Sequence, residues 1–251
     1  YKIPLNISET LEAYATILQQ FFTLINKNYI YVLQTSLSEA ILASLLSGLE
    51  VSKKYDKTNH LVAVATNLCH RYNLDLNHAK HVAQIAQSLF DKLKDHLGLK
   101  EEESLYLILA AYLHDIGIFV NNRAHHKHSE YIISSLNLFR LTDEEVRTIA
   151  CIARYHRKAT PTKTHYLYGL LPFENQILIQ KRSSLLRMAN ALDSTHRQKA
   201  KSVDVDVESP SDLALIVHTR ENFLVERMDF LEKKELFEEI TGSKIRLVVK
   251  D

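Results

Sequence analysis

Five glycines and four prolines in 251 residues leave this chain few points at which to turn sharply. Glycine supplies the backbone freedom of tight turns and proline presets their geometry, so a chain poor in both is built of long helices. One large domain or two smaller ones are expected at this length, with enough burial to fold without disulfides or a structural metal. Apolar residues make up 46% and charged residues 24%, the balance of a globular chain, which excludes disorder. Lys and Arg number 31 against 30 Asp and Glu, a net charge of +1. That balance supplies no bulk field for nucleic acid, which is not expected as a partner. No apolar run is long enough to cross a membrane and no signal peptide is expected, so a cytoplasmic location is expected, with no membrane partner. Cys69 and Cys151 lack metal-type spacing and read as buried thiols of a reducing compartment.

Three regions are expected. Residues 1–50 read as a helical segment, with apolar faces around 7–26 and 38–47. Residues 51–200 read as an all-helical domain. Residues 201–251 change character. Val203, Val205 and Val207 alternate with Asp204, Asp206 and Glu208, the pattern of a strand with one buried face. A turn at Pro210 and Ser211 leads to a second strand over 213–219, a hairpin. Helical spacing over 223–240 ends at Gly242, and a third strand follows over 244–249. The fold class is therefore mainly α, a helical bundle followed by a small β-β-α-β unit.

Histidine is the unusual residue: there are 13, and ten lie between His60 and His156. A helix over 78–93 places His78, Val82, Ile85 and Leu89 on one face, so a histidine points at the core. The segment 104–116 is apolar on all sides until His114 and Asp115, with Gly117 as its expected C-cap. Thr142 and Glu145 form a capping box that opens a helix over 141–157, where Ile149, Ala153 and His156 share a face. A helix over 177–197 aligns Leu186, Ala189 and Asp193.

Asp115 is the most informative of these. A carboxylate at the negative end of a helix dipole costs up to about 1 kcal/mol, and a divalent cation offsets that cost. A bond to Lys or Arg, or an escape to solvent past Gly117, explains Asp115 alone equally well. His78 can likewise be a satisfied core histidine, and Asp193 can pair with Arg187 or Arg197. Together, however, His78, His114, Asp115 and Asp193 place a mixed imidazole and carboxylate set on the core sides of different helices. Such a set suits Mn, Fe, Zn or Mg. His125, His126, His128 and His156 can add ligands or bind phosphate. His81 reads as a packing or supporting histidine. His60, His70, His96, His165, His196 and His218 show no pattern and read as ordinary.

Basic residues flank this set. Arg154, Arg157 and Lys158 surround His156; Arg123 and Lys127 lie near the histidine cluster; Arg197 follows Asp193. Arg binds phosphate oxygens bidentately and Lys neutralises them as a point charge, so a phosphate-bearing ligand is expected on these residues.

A His, a His-Asp pair and a distant Asp on separate helices resemble the HD superfamily of metal-dependent phosphohydrolases. The resemblance implies that His78, His114, Asp115 and Asp193 hold a first divalent ion. It implies that His125 or His126, with His156, hold a second. Asp115 and His156 are the residues expected nearest the chemistry. The segments His125-His126-Lys127-His128-Ser129-Glu130-Tyr131 and Ala153-Arg154-Tyr155-His156-Arg157-Lys158-Ala159 are similar to the C-terminal half of the exopolyphosphatase and guanosine pentaphosphate phosphohydrolase family (Ppx/GppA), as is the tail. The chain departs from that family in lacking the glycine loops of its actin-like N-terminal domain. It is therefore expected to be a fragment or a short relative, with 1–50 a possible remnant of that domain.

Two functions are expected of such a chain. One is a phosphohydrolase acting on polyphosphate, a guanosine polyphosphate or a nucleotide with one or two divalent ions. The other is a non-catalytic polyphosphate- or nucleotide-binding and dimerisation module. A homodimer is expected in either case.

Overall fold

The computed structural model describes residues 11–25, 42, 57–138, 141–157, 159–209 and 211–251. The chain divides into two compact units, Tyr1–Leu45 and Leu46–Asp251. In the first, helix α1 (Leu11–Ile25) carries Tyr14, Ile17, Leu18, Phe21 and Leu24 at helical spacing. Of the helix expected over 38–47, only Leu42 is described, and it is helical; the rest lies outside the described residues.

The second unit is a helical bundle extended by a three-stranded sheet. Helix α2 (Lys57–Arg71) leads through a turn with Asn73 at φ 52° into α3 (Leu76–Leu97). Asp75 starts α3 by accepting the backbone N–H groups of Asn77 and His78, and Gly98 ends it in the left-handed region. The expected face of α3 is real: His78, Val82, Ile85 and Leu89 are all buried. Helix α4 (Ser104–Leu113) buries Leu105, Leu107, Leu109 and Leu113, each contributing about 1.5–3 kcal/mol relative to exposure.

Helix α4 stops at Leu113, and a 3-10 turn (Ile116–Phe119) follows. Gly117 is therefore not the C-cap that its position suggests. It is buried, and a Cβ there would lie 2.1 Å from the carbonyl oxygen of His125. Its role is close approach to the next helix, α5 (His125–Ser134). The capping box of Thr142 and Glu145 is present and opens α6 (Asp143–Arg154). The short α7 (Tyr166–Gly169) precedes α8 (Phe173–Ala191). Both α6 and α8 end sooner than expected, so His156 and Asp193 sit in the turns just past them, not on helical faces.

Strand β1 (Ser202–Ser209) pairs antiparallel with β2 (Asp212–His218), with Val205 opposite Leu215. Strand β3 (Lys244–Lys250) lies parallel to β2 on its other edge, giving the order β1-β2-β3. Parallel pairing needs a crossover, which two helices supply, α9 (Leu224–Lys233) and α10 (Glu235–Thr241). One helix over 223–240 was expected; the apolar spacing continues across Lys234 and hides the break. Leu213, Leu215, Val217 and Ile245 join the same buried core as α3, α4 and α6. No described helix is long and apolar enough to cross a membrane.

Candidate metal centre

Three helices, α4, α6 and α8, end near one point, followed by His114–Asp115, His156 and Asp193. A helix C-terminus leaves carbonyls without partners and carries the negative end of the dipole. His114 takes up one such carbonyl, its Nδ1 donating to Ala111 at 2.8 Å. His156 does the same to Ala153 at 2.7 Å. His125, opening α5, donates from Nδ1 to the carbonyl of Asn122 at 3.0 Å. In α3, His78 donates from Nδ1 to Asp193 Oδ2 at 2.8 Å. A carbonyl or carboxylate only accepts, so each Nδ1 carries the proton. In its neutral form each ring then presents a bare Nε2.

Those bare nitrogens face one another. His78 Nε2 lies 3.3 Å from His114 Nε2, and His125 Nε2 lies 3.1 Å from His156 Nε2. Asp115 stands between the pairs. Its Oδ2 is 3.5 Å from His114 Nε2 and 4.0 Å from His78 Nε2. Its Oδ1 is 3.2 Å from His125 Nε2 and 3.7 Å from His156 Nε2. Opposed lone pairs on buried groups repel, and a cation among them turns every one into a favourable contact. The donor set therefore fits a divalent metal. Two groups of atoms can hold one: His78, Asp115 and His196, and Asp115, His125 and His156.

The electrostatics agree. Burial lowers the His114 imidazole to about 4 and holds His156 well below its ordinary value, so both stay neutral at pH 7. Burial pushes the Asp115 carboxyl up, and the opposing pull of His114, His125 and His156, exerted when those rings are protonated, lowers it below the carboxylate range. Burial also pushes Asp193 up, and its bonds from His78 and Gln198 reverse that.

These shifts predict acid-labile folding. Between the ordinary 6.5 and the folded value of about 4, an unfolded chain takes up a proton that His114 refuses. Stability is full above that window and falls as pH drops through it, by up to about 1.4 kcal/mol per pH unit for each such histidine. The depressed carboxylates lose their contribution only below the ordinary 3.8, outside the window. Urea unfolding of metal-free protein is expected to show a loss of about 2 kcal/mol or more from pH 7 to pH 5. A flat profile would contradict the buried neutral histidines.

Several side chains hold the centre in place. Ser129 donates to the carbonyl of His114 at 2.6 Å and accepts the N–H of Gly117 at 2.9 Å, clamping the His114–Asp115 turn. Arg187 donates to the carbonyls of Tyr155, Arg157 and Ala159, fixing the turn after His156. Glu226, fully buried on α9, binds Thr195 and Lys199 and so anchors the turn that carries Asp193 and His196.

The structure thus brings together His78, His114, Asp115, His125 and His156, with Asp193 behind them. Asp193, expected as a direct ligand, accepts from His78 Nδ1 and Gln198, and it pairs with neither Arg187 nor Arg197 among the described contacts. Of His125 and His126, only His125 belongs to a group of described side chains that could hold an ion. His126 is half-buried, lowered by burial to about 4, and belongs to neither ligand group.

The expected phosphate binders mostly stand elsewhere. Arg154 is paired with Glu130. Arg123, Lys127 and Arg197 are exposed and line neither cavity at the centre, and Lys158 lies outside the described residues. Arg157 alone reaches it, its Nη1 3.4 Å from His125 Nε2.

Two residues not singled out by pattern do reach it. His196 stacks on His78 at 3.6 Å and donates from Nδ1 to Asp75 at 3.1 Å. Lys233, from α9, lines the same cavity as Asp115 and Arg157, its Nζ 2.8 Å from Asp229. The available signal for His196 was its place three residues after Asp193.

Comparison with known proteins agrees with this geometry. Over 155 residues, 61% of this chain, it is 28% identical to the guanosine-5'-triphosphate,3'-diphosphate pyrophosphatase of Pseudoalteromonas translucida (strain TAC 125). The match spans 29% of that relative's length. Residues 62–239 match the family described as Ppx/GppA phosphatase, domain III. That range contains every side chain of the centre and helix α9, and the chain therefore belongs to the Ppx/GppA phosphatase family, in its domain III.

Proposed function

We propose that this chain is a divalent-metal-dependent phosphohydrolase of the HD type, cleaving a phosphoanhydride or phosphoester. The carrying observation is the convergence of four buried histidines, each anchored through Nδ1, on the two oxygens of Asp115. His78 and His114 would hold one ion with Asp115 Oδ2, and His125 and His156 a second with Oδ1. Mn, Fe, Zn and Mg suit these donors. When bound, such ions supply an acidified water and neutralise phosphoryl oxygens.

The chain's own residues do the rest. Asp193 fixes the His78 tautomer, the role that outer carboxylates take at metal-bound histidines. Arg157 and Lys233 face the cavity in front of Asp115 and orient phosphoryl oxygens. Asp115, ionised at neutral pH, serves as a ligand and not as an acid. In this reading 51–200 is the HD-type domain, and 201–251 contributes Lys233 through its crossover. The relative's name describes a pyrophosphatase of a guanosine nucleotide, a phosphoanhydride cleavage of the proposed kind.

Phosphate release from nucleoside triphosphate and polyphosphate tests this. Chelation is expected to remove turnover, and added Mn²⁺ or Fe²⁺ to restore it. Ligand binding that persists after chelation, with no turnover under any metal, would replace the enzyme by a binding module.

A further inference from the structure

His196 shares the anchoring of the four buried histidines but stands on the open side of the centre, its side chain 41% exposed. Its Nδ1 donates to Asp75 Oδ2 at 3.1 Å, as each of the other rings donates from Nδ1 to an oxygen. In its neutral form the ring is left with a bare Nε2. A ring nitrogen of His196, one of His78 and an oxygen of Asp115 all lie within 4.8 Å of one another, close enough to share an ion. The His196 ring lies flat on that of His78, with centroids 3.6 Å apart at 7°. Asp75 serves both rings: one oxygen accepts from His196, and the other caps α3 at the N–H of His78.

The turn that carries His196 is held against backbone preference. His196 has φ 56° and Gln198 φ 49°, left-handed values that cost energy in residues other than glycine. The N–H of His196 donates to the carbonyl of Asp193 at 2.8 Å, and Thr195 donates to the buried Glu226. A side chain that only decorates the surface needs no such support. The turn sets His196 at the seam of two cavities. One, of about 560 Å³, is walled by His125, His156 and Arg157. The other, of about 420 Å³, is walled by His78 and His114. Asp115, Ile118 and His196 line both.

We propose that His196 is a further metal ligand, binding through Nε2 beside His78 on the open side of the first ion. This rests on the reading of the centre as a metal site given above. It makes the two ion sites unequal. Three imidazoles then serve the His78 side and two the His125 side, each with one oxygen of Asp115. A fuller set of protein donors closes a site, and a smaller set leaves positions open. The tighter ion therefore belongs to the His78 side, and the open positions face Arg157.

Titration of metal-free protein with Co²⁺, followed by its visible absorption, tests this without reference to turnover. His196→Gly is expected to weaken the tightest equivalent by at least about tenfold, the scale reached when even an outer partner of a metal ligand is lost. A weaker equivalent on the His125 side is expected to be unchanged. Glycine adopts a left-handed φ freely, so the variant relieves the turn and does not threaten folding. Imidazole added to His196→Gly is expected to restore the affinity and spectrum of the parent, which a purely structural ring would not allow. Parent affinity in the variant, or a loss that imidazole does not repair, overturns the proposal, while uptake by the parent still upholds the centre. No uptake by the parent overturns both.

Discussion

Asp115→Asn is expected to lower phosphate release by at least about 100-fold, a loss of about 3 kcal/mol in transition-state stabilisation. Among the described residues Asp115 is the carboxylate shared by both candidate groups, with one oxygen toward each. Asn keeps the shape but removes the charge, leaving an amide that cannot serve both sides as an anion. Four histidines alone carry no charge to balance two divalent ions, so metal affinity falls with activity. Helix content is expected to stay, because Asp115 caps no long helix and its side chain keeps contact with solvent at 17% exposure. Combining the change with His114→Ala is expected to abolish both properties while circular dichroism remains that of the parent. Turnover at the parent level in either variant would show that the chemistry lies elsewhere.

Gly117→Ala is expected to be the most damaging small substitution, destabilising the fold by about 3 kcal/mol or more. Overpacking a well-filled interior typically costs about 1–3 kcal/mol, and this case belongs at or beyond the upper end. The new Cβ would lie 2.1 Å from the carbonyl oxygen of His125 and 2.4 Å from the backbone nitrogen of Ser129. Both are backbone atoms, which no rotamer change can move away. Relief requires α5 to shift as a unit. That shift carries off His125 and breaks the Ser129 clamp on the His114–Asp115 turn. The His125–His156 group is therefore expected to lose its metal before the His78–His114 group. Urea denaturation together with metal titration reads both effects. A variant within about 0.5 kcal/mol of the parent, with its full metal complement, would show that α5 does not pack as described.

Much of this centre is written in the chain. His78 and its apolar neighbours declare a buried face at helical spacing. The apolar run before His114 declares a helix with a polar end. Thr142 and Glu145 fix the start of α6, and alternating valines fix β1. What stayed hidden depends on contacts between distant segments. Gly117 reads as a helix terminator because glycine usually is one, whereas its cause is the backbone of α5. Asp193 aligns with a helical face in the sequence, but the helix ends first, so the bond its carboxylate accepts from His78 Nδ1 could not be read from spacing. His196 has no periodic partner; it comes to the centre through a turn with a positive φ of 56°, held by Asp75 and Glu226. Lys233 arrives only because β2 and β3 are parallel and their crossover passes the cavity.

The most direct measurement is elemental analysis of the protein purified without added metal or chelator, repeated after soaking in Mn²⁺ or Fe²⁺. The arrangement of bare Nε2 atoms around Asp115 predicts one to two equivalents of transition metal per chain, lost in Asp115→Asn. A folded parent protein that takes up no metal even after soaking would contradict the metal centre.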